Sequence, residues 1–101
     1  MNPNTTTETL TGSSAEEVEV SPQYEKNVIT IVGLDEGIVT VKAKAQGNTV
    51  FEKVRNGEIR LGDNYHTLTI RNVQIDAFQF EVTPEAAYTV KIKQTNADTE
   101  R

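Results

Sequence analysis

A chain of 101 residues with 36% hydrophobic side chains and no cysteine is long enough for one core but not two. Neither a disulfide framework nor a thiolate metal site is open to it. Its net charge of -5 at pH 7 argues against nucleic acid, because phosphate binding draws its affinity from clustered cations that release counterions. The chain starts with no basic region followed by an apolar run, and no stretch reaches membrane-spanning length. The expectation is a protein made in the cytoplasm, with no signal peptide and no membrane partner.

In chain order, the first 25 residues hold Glu8, Glu16, Glu17, Glu19 and Glu25 and neither Lys nor Arg, so the whole net charge falls there. Residues 26–101 contain ten acids and ten bases. Residues 1–25 are expected to form an extended acidic arm, with short strands at Thr7–Thr11 and Glu17–Val20 separated by the turn-prone Gly12-Ser13-Ser14. Ser21-Pro22 ends that pairing. Asn27–Val32 is rich in Val, Ile and Thr and stops at Gly33, a strand signal. Asp35-Glu36-Gly37 turns the chain into Ile38–Ala45, where Val39, Val41, Ala43 and Ala45 alternate with Ile38, Thr40, Lys42 and Lys44. A period of two marks a strand with one buried face.

Gln46-Gly47-Asn48 predicts a hairpin onto Thr49–Val54, and Asn56-Gly57 a second one onto Glu58–Leu61. Gly62-Asp63-Asn64 reads as a loop, and His66–Arg71 as a strand with Leu68 and Ile70 on one face. Val73–Thr83 changes phase: Val73 and Ile75 are odd, whereas Phe78, Phe80 and Val82 are even. A β-bulge near Asp76-Ala77 brings both sets to the core. Thr83-Pro84 ends the strand, because Pro has no N–H to donate. Ala87–Gln94 is the last strand, with Tyr88, Val90 and Ile92 set against Thr89, Lys91 and Lys93, and residues 96–101 form a polar tail. Seven to nine short strands with turns between them predict an all-β fold. Residues 26–95 then make an antiparallel β-sandwich, jelly-roll or immunoglobulin-like.

Residues that could carry chemistry do not converge. His66, the only histidine, shares its parity with Leu68 and Ile70, and Ser13, Ser14 and Ser21 all lie in the arm. No nucleophile therefore has a base beside it. Glu16-Glu17 and Asp35-Glu36 are sequence neighbours, which point to opposite faces of an extended chain and cannot serve one glycosidic bond. Asp35, Asp63 and Asn64 lack the spacing of a dedicated calcium loop. Asn4-Thr5-Thr6 matches a glycosylation acceptor, which has meaning only on a secretory route. No enzyme, no cofactor and no metal is the expectation.

Binding features remain. Lys42 with Lys44, and Lys91 with Lys93, form two basic stripes. They read either as solvated outer faces that discourage aggregation or as complements to the acidic arm of the same or a neighbouring subunit. In the second reading Leu10, Val18, Val20 and Tyr24 are anchors, and Glu16, Glu17 and Glu19 set the register. Phe51 faces outwards beside Lys53 and Arg55 if Val50 and Val54 face the core, which makes it a contact residue; a bulge that buries it is the alternative. Tyr24 and Tyr65 share that ambiguity.

Gly37–Ala45, Gly57-Glu58-Ile59, Ile75–Phe78 through Val82-Thr83-Pro84, and Tyr88–Ile92 resemble the texture of small β-sandwich virion proteins of tailed bacteriophages. The resemblance implies a structural protein located in the virion. As capsid decoration or cement it would staple neighbouring subunits through its arm, with the major capsid protein or other virion subunits as partners. It also implies a homo-oligomer, often a trimer. The other reading that it carries is a receptor- or glycan-binding module of a tail fibre or spike, marked by loop aromatics such as Tyr65 and Phe51. No catalytic residues come with the resemblance.

Overall fold

Alternating apolar positions give each strand one face that leaves water and one that keeps it, and the computed structural model shows how those faces combine. It describes residues 3–11, 16–63 and 66–96. Among these are β1 (Asn4–Leu10), β2 (Glu16–Glu19), β3 (Lys26–Val32), β4 (Ile38–Ala45), β5 (Glu52–Arg60), β6 (Thr67–Arg71), β7 (Ile75–Thr83) and β8 (Tyr88–Thr95). A single turn of 3-10 helix, Leu61–Asp63, follows β5.

All the pairings are antiparallel. β1 pairs with β8, β2 with β7, β3 with β6 and β4 with β5, the pattern of one long two-stranded ribbon with its tip between β4 and β5. The ribbon is rolled so that β3 also meets β8 and β4 also meets β7. The outcome is two four-stranded sheets, sheet I with order β1-β8-β3-β6 and sheet II with order β2-β7-β4-β5. This is a jelly roll. Of the two connectivities compatible with the sequence, the immunoglobulin-like one is excluded by this strand order.

Between the sheets lie Ile29 and Ile31 of β3, Val39 and Val41 of β4, Phe78 and Phe80 of β7, and Val90 and Ile92 of β8, all at most 2% exposed. The rings of Phe78 and Phe80 tilt at 34° with centroids 6.1 Å apart, inside the range where aromatic pairs add to simple burial. The phase change in β7 is the expected bulge: Lys44 faces Ala77 and Ala45 faces Ile75, leaving Asp76 as the extra residue. Ile75 thereby joins Phe78 in the core, while Val73 stays outside the strand and 41% exposed.

Two expectations are corrected. Asn56-Gly57 does not join two strands. Thr40 pairs with Glu58 and Lys42 with Lys53, so residues 54–57 bulge within β5 opposite Val41. Asn56 takes a positive φ of 56° there, and a Cβ on Gly57 would lie 2.6 Å from the Val54 carbonyl oxygen and 2.8 Å from that of Val41. The turn chemistry was read correctly, but the ladder absorbs it as a kink.

The second correction concerns the arm. Residues 4–10 run the full length of β8 in unbroken register, from Asn4 opposite Gln94 to Leu10 opposite Tyr88. Residues 16–19 pair with β7, and the Val20 N–H donates to the Asp76 carbonyl oxygen at 3.0 Å. The boundary at residue 25 is therefore not a boundary of the sandwich. Described residues of the first 25 supply an edge strand to each sheet, because Leu10 and Val18 gain more from the shared core than from water.

Candidate interaction surfaces

Register assigns each outward side chain to a row. On sheet I the outer face carries Lys93 between Thr5 and Val28, Lys91 between Thr7 and Thr30, and Lys26 beside Arg71. Threonines fill most of the other outward positions, among them Thr9, Thr67, Thr69 and Thr89. Among the described residues this face holds four cations and no carboxylate. Lys91, Lys93 and Arg71 are exposed.

On the outer face of sheet II, three of the described bases have carboxylate partners. Lys42 Nζ lies 3.5 Å from Glu81 Oε2, Lys53 Nζ 3.5 Å from Glu58 Oε2, and Arg60 Nη2 3.5 Å from Glu58 Oε1. Lys44 Nζ sits 5.4 Å from the centroid of the Phe51 ring, a cation–π distance. The two basic stripes of the sequence thus lie on opposite outer faces, one with partners and one without a carboxylate beside it.

A sandwich also has two open flanks where its edge strands end. At the β2 edge, where β1 ends the other sheet, Glu8 and Asp76 together with the outward-facing Glu17 and Glu19 of β2 line one concavity, with Lys44 as its one cation among the described residues. Glu8 has the inward parity of Leu10 yet remains exposed, because no strand lies beyond β1. The opposite flank, between β5 and β6, is lined by Ala43, Val54, Ile70, Val73 and Ile75 with charged residues at its rim. One flank is acidic and the other largely apolar.

No protein-family model and no curated protein sequence matches the chain. Among solved structures, the crystal structure of the SPBc2 prophage-derived protein YomS superposes with a TM-score of 0.59 over 93% of this chain and 95% of that one, at 16% identity. The two proteins share a fold.

Most of the arm residues expected to grip a neighbour serve the chain's own fold instead. Leu10, Val18 and Tyr24 are 5%, 3% and 8% exposed, and Val20 packs half-buried against the same cluster. Glu16 accepts hydrogen bonds from the Thr11 N–H and Oγ1, both at 2.9 Å, which ties the two ends of the β1–β2 connection together. Glu17 and Glu19 are exposed on the acidic flank. Phe51 is half-buried beneath Lys44. Tyr65 lies outside the described residues. His66 is half-buried, and its carbonyl oxygen accepts the Ile31 N–H at 2.8 Å, a backbone role. Among the described residues no group of three His, Asp or Glu side chains could hold a metal ion.

A buried polar row escaped the sequence reading. Asn4, Gln94 and Asn27 stand in one register line across β1, β8 and β3. Gln94 Nε2 donates to the Ser21 carbonyl oxygen at 2.8 Å and to Asn27 Oδ1 at 2.9 Å, and Gln94 Oε1 accepts from Asn4 Nδ2 at 2.8 Å and from the Ser21 N–H at 3.1 Å. One amide thereby uses both donors and both lone pairs of its oxygen. The available signal was parity: Gln94 continues the inward series Tyr88, Val90, Ile92. At the other end of β8, burial and, secondarily, the Glu16 carboxylate push the Tyr88 hydroxyl well above the usual tyrosine range.

Proposed function

We propose that the chain is a non-enzymatic structural protein of a tailed-phage virion, acting as capsid decoration or cement by binding neighbouring subunits through its sheet faces and edges. The observation that carries this reading is the whole-length likeness of fold to a prophage-derived protein. Contrasting charge on the outer surfaces supports it further. A sandwich held by a buried apolar core presents its outer faces on preformed backbone, which suits specific docking with little ordering of the backbone. The role belongs to the faces and edges, because the apolar anchors Leu10, Val18 and Tyr24 are buried within the fold.

Purified particles of the source phage provide the test. Peptides of this chain are expected in washed virions at a fixed ratio to the major capsid protein, and added protein is expected to saturate particles that lack it. Virions free of the chain, or particles that take up none of it, overturn the reading.

A further inference from the structure

The outer face of sheet I and the flank between β1 and β2 belong to one molecule and have opposite sign. Lys91 and Lys93 stand side by side along β8, with Arg71 on the same face, and no described carboxylate shares that face. The flank gathers four carboxylates around one lysine, and that lysine also lies over the Phe51 ring. Each surface carries charge that its surroundings leave largely unbalanced. By contrast, the outer face of sheet II carries the ion pairs Lys42–Glu81, Lys53–Glu58 and Arg60–Glu58.

We infer that copies of this chain associate head to tail, with the acidic flank of one copy, Glu8, Glu17, Glu19 and Asp76, seated on the Lys91–Lys93 face of the next. The occupant is a second copy because the complementary surface is present on the chain itself. The threonines around the lysines let it approach closely, since their short side chains hold no competing charge. The two patches are different surfaces, so the contact is heterologous and repeats. It builds a closed ring or a helical filament according to whether the rotation between copies closes. A chain with a net charge of -5 also repels its own copies at long range, which this orientation overcomes only at short distance and less effectively as salt screens it. The inference deepens the virion reading and depends on it for biological purpose, but not for its physics.

Charge reversal on the full chain tests it, with sedimentation velocity at low ionic strength as the readout and circular dichroism confirming the fold. Wild-type protein is expected to form oligomers that dissociate as salt is added. K91E/K93E and E17K/E19K are each expected to weaken association by about tenfold or more. Both pairs of substitutions in one chain, or an equimolar mixture of the two variants, are expected to restore it. A wild-type chain that stays monomeric, or reversals that do not rescue each other, overturns the inference. If such a monomer still saturates particles, the virion reading stands and only the self-contact falls.

Discussion

The two outer faces of the sandwich both carry bases and use them differently. Sheet II places Lys42, Lys53 and Arg60 within 3.5 Å of Glu81 or Glu58, so these three bases have partners within the chain. Sheet I places Lys91 and Lys93 beside Thr5, Thr7, Thr30 and Val28, with no described carboxylate on the face. The same residue type is thus a local partner on one sheet and, among the described residues, has no carboxylate on its face on the other. What separates them is the surroundings: β7 brings Glu81 to Lys42 and β5 itself supplies Glu58 to Lys53, whereas β1 and β3 place Thr5, Thr7, Thr30 and Val28 beside Lys91 and Lys93.

The contrast depends on both faces resting on one rigid core, and the largest expected effect comes from removing that support. Deleting residues 1–20 strips an edge strand from each sheet and takes Leu10 and Val18 out of the core. Burial of two such side chains is worth roughly 1.5–3 kcal/mol each, against a total of about 5–15 kcal/mol for a typical domain. The shortened chain is expected to lose its cooperative thermal transition. If it melts like the full chain, the N-terminal segment is an arm after all.

Next in size is the polar row that fastens β1, β3 and the Ser21 backbone to β8. Gln94→Ala leaves the buried Asn27 and the Ser21 peptide groups without their partner. The expected loss, from urea denaturation, is about 1–3 kcal/mol. An unchanged midpoint would mean that this end of sheet I adds nothing to the rigidity of the cationic face.

Tyr88 gives a smaller effect, confined to alkaline solution. Its hydroxyl is held above the ordinary value in the folded chain, so the unfolded chain releases that proton first. Stability contributed by the neutral form is complete below pH about 10 and falls as pH rises past it, by up to about 1.4 kcal/mol per pH unit. Tyr88→Phe is expected to flatten the decline of stability between pH 10 and 11 relative to wild type; parallel curves would contradict the assignment.

The smallest effects address the two faces directly. Lys42→Ala breaks a surface pair with Glu81 and is expected to cost about 0.2–1 kcal/mol at low salt, fading as salt is added. Lys91→Ala has no carboxylate to lose, and its expected effect lies within about 0.5 kcal/mol. Equal, salt-dependent losses at both positions would erase the distinction between the sheets.

Several of these features were legible in the chain itself. Alternation located β4 at Ile38–Ala45 to the residue and β8 to within one position. The phase change between Ile75 and Phe78 announced the bulge at Asp76. Asn56-Gly57 misled, because a positive φ serves a hairpin and a bulge equally well and the deciding partner, Val41, lies more than ten residues away. The arm misled for a similar reason. Its polar, acidic composition describes two edge strands exposed along one side as well as it describes a solvated tail, and Leu10 and Val18 were too few to mark a core face.

By itself the sequence determined that this is an all-β chain and which positions alternate, since both follow from backbone sterics and local polarity over a few residues. Only the tertiary structure decided that the strands roll into a jelly roll and that residues 4–10 and 16–19 belong to it. It alone placed Lys42 beside Glu81 and left Lys91 and Lys93 among threonines. Those outcomes rest on which strands become neighbours, a choice made by burying one apolar core across some 90 residues of separation between β1 and β8, and no local pattern encodes it.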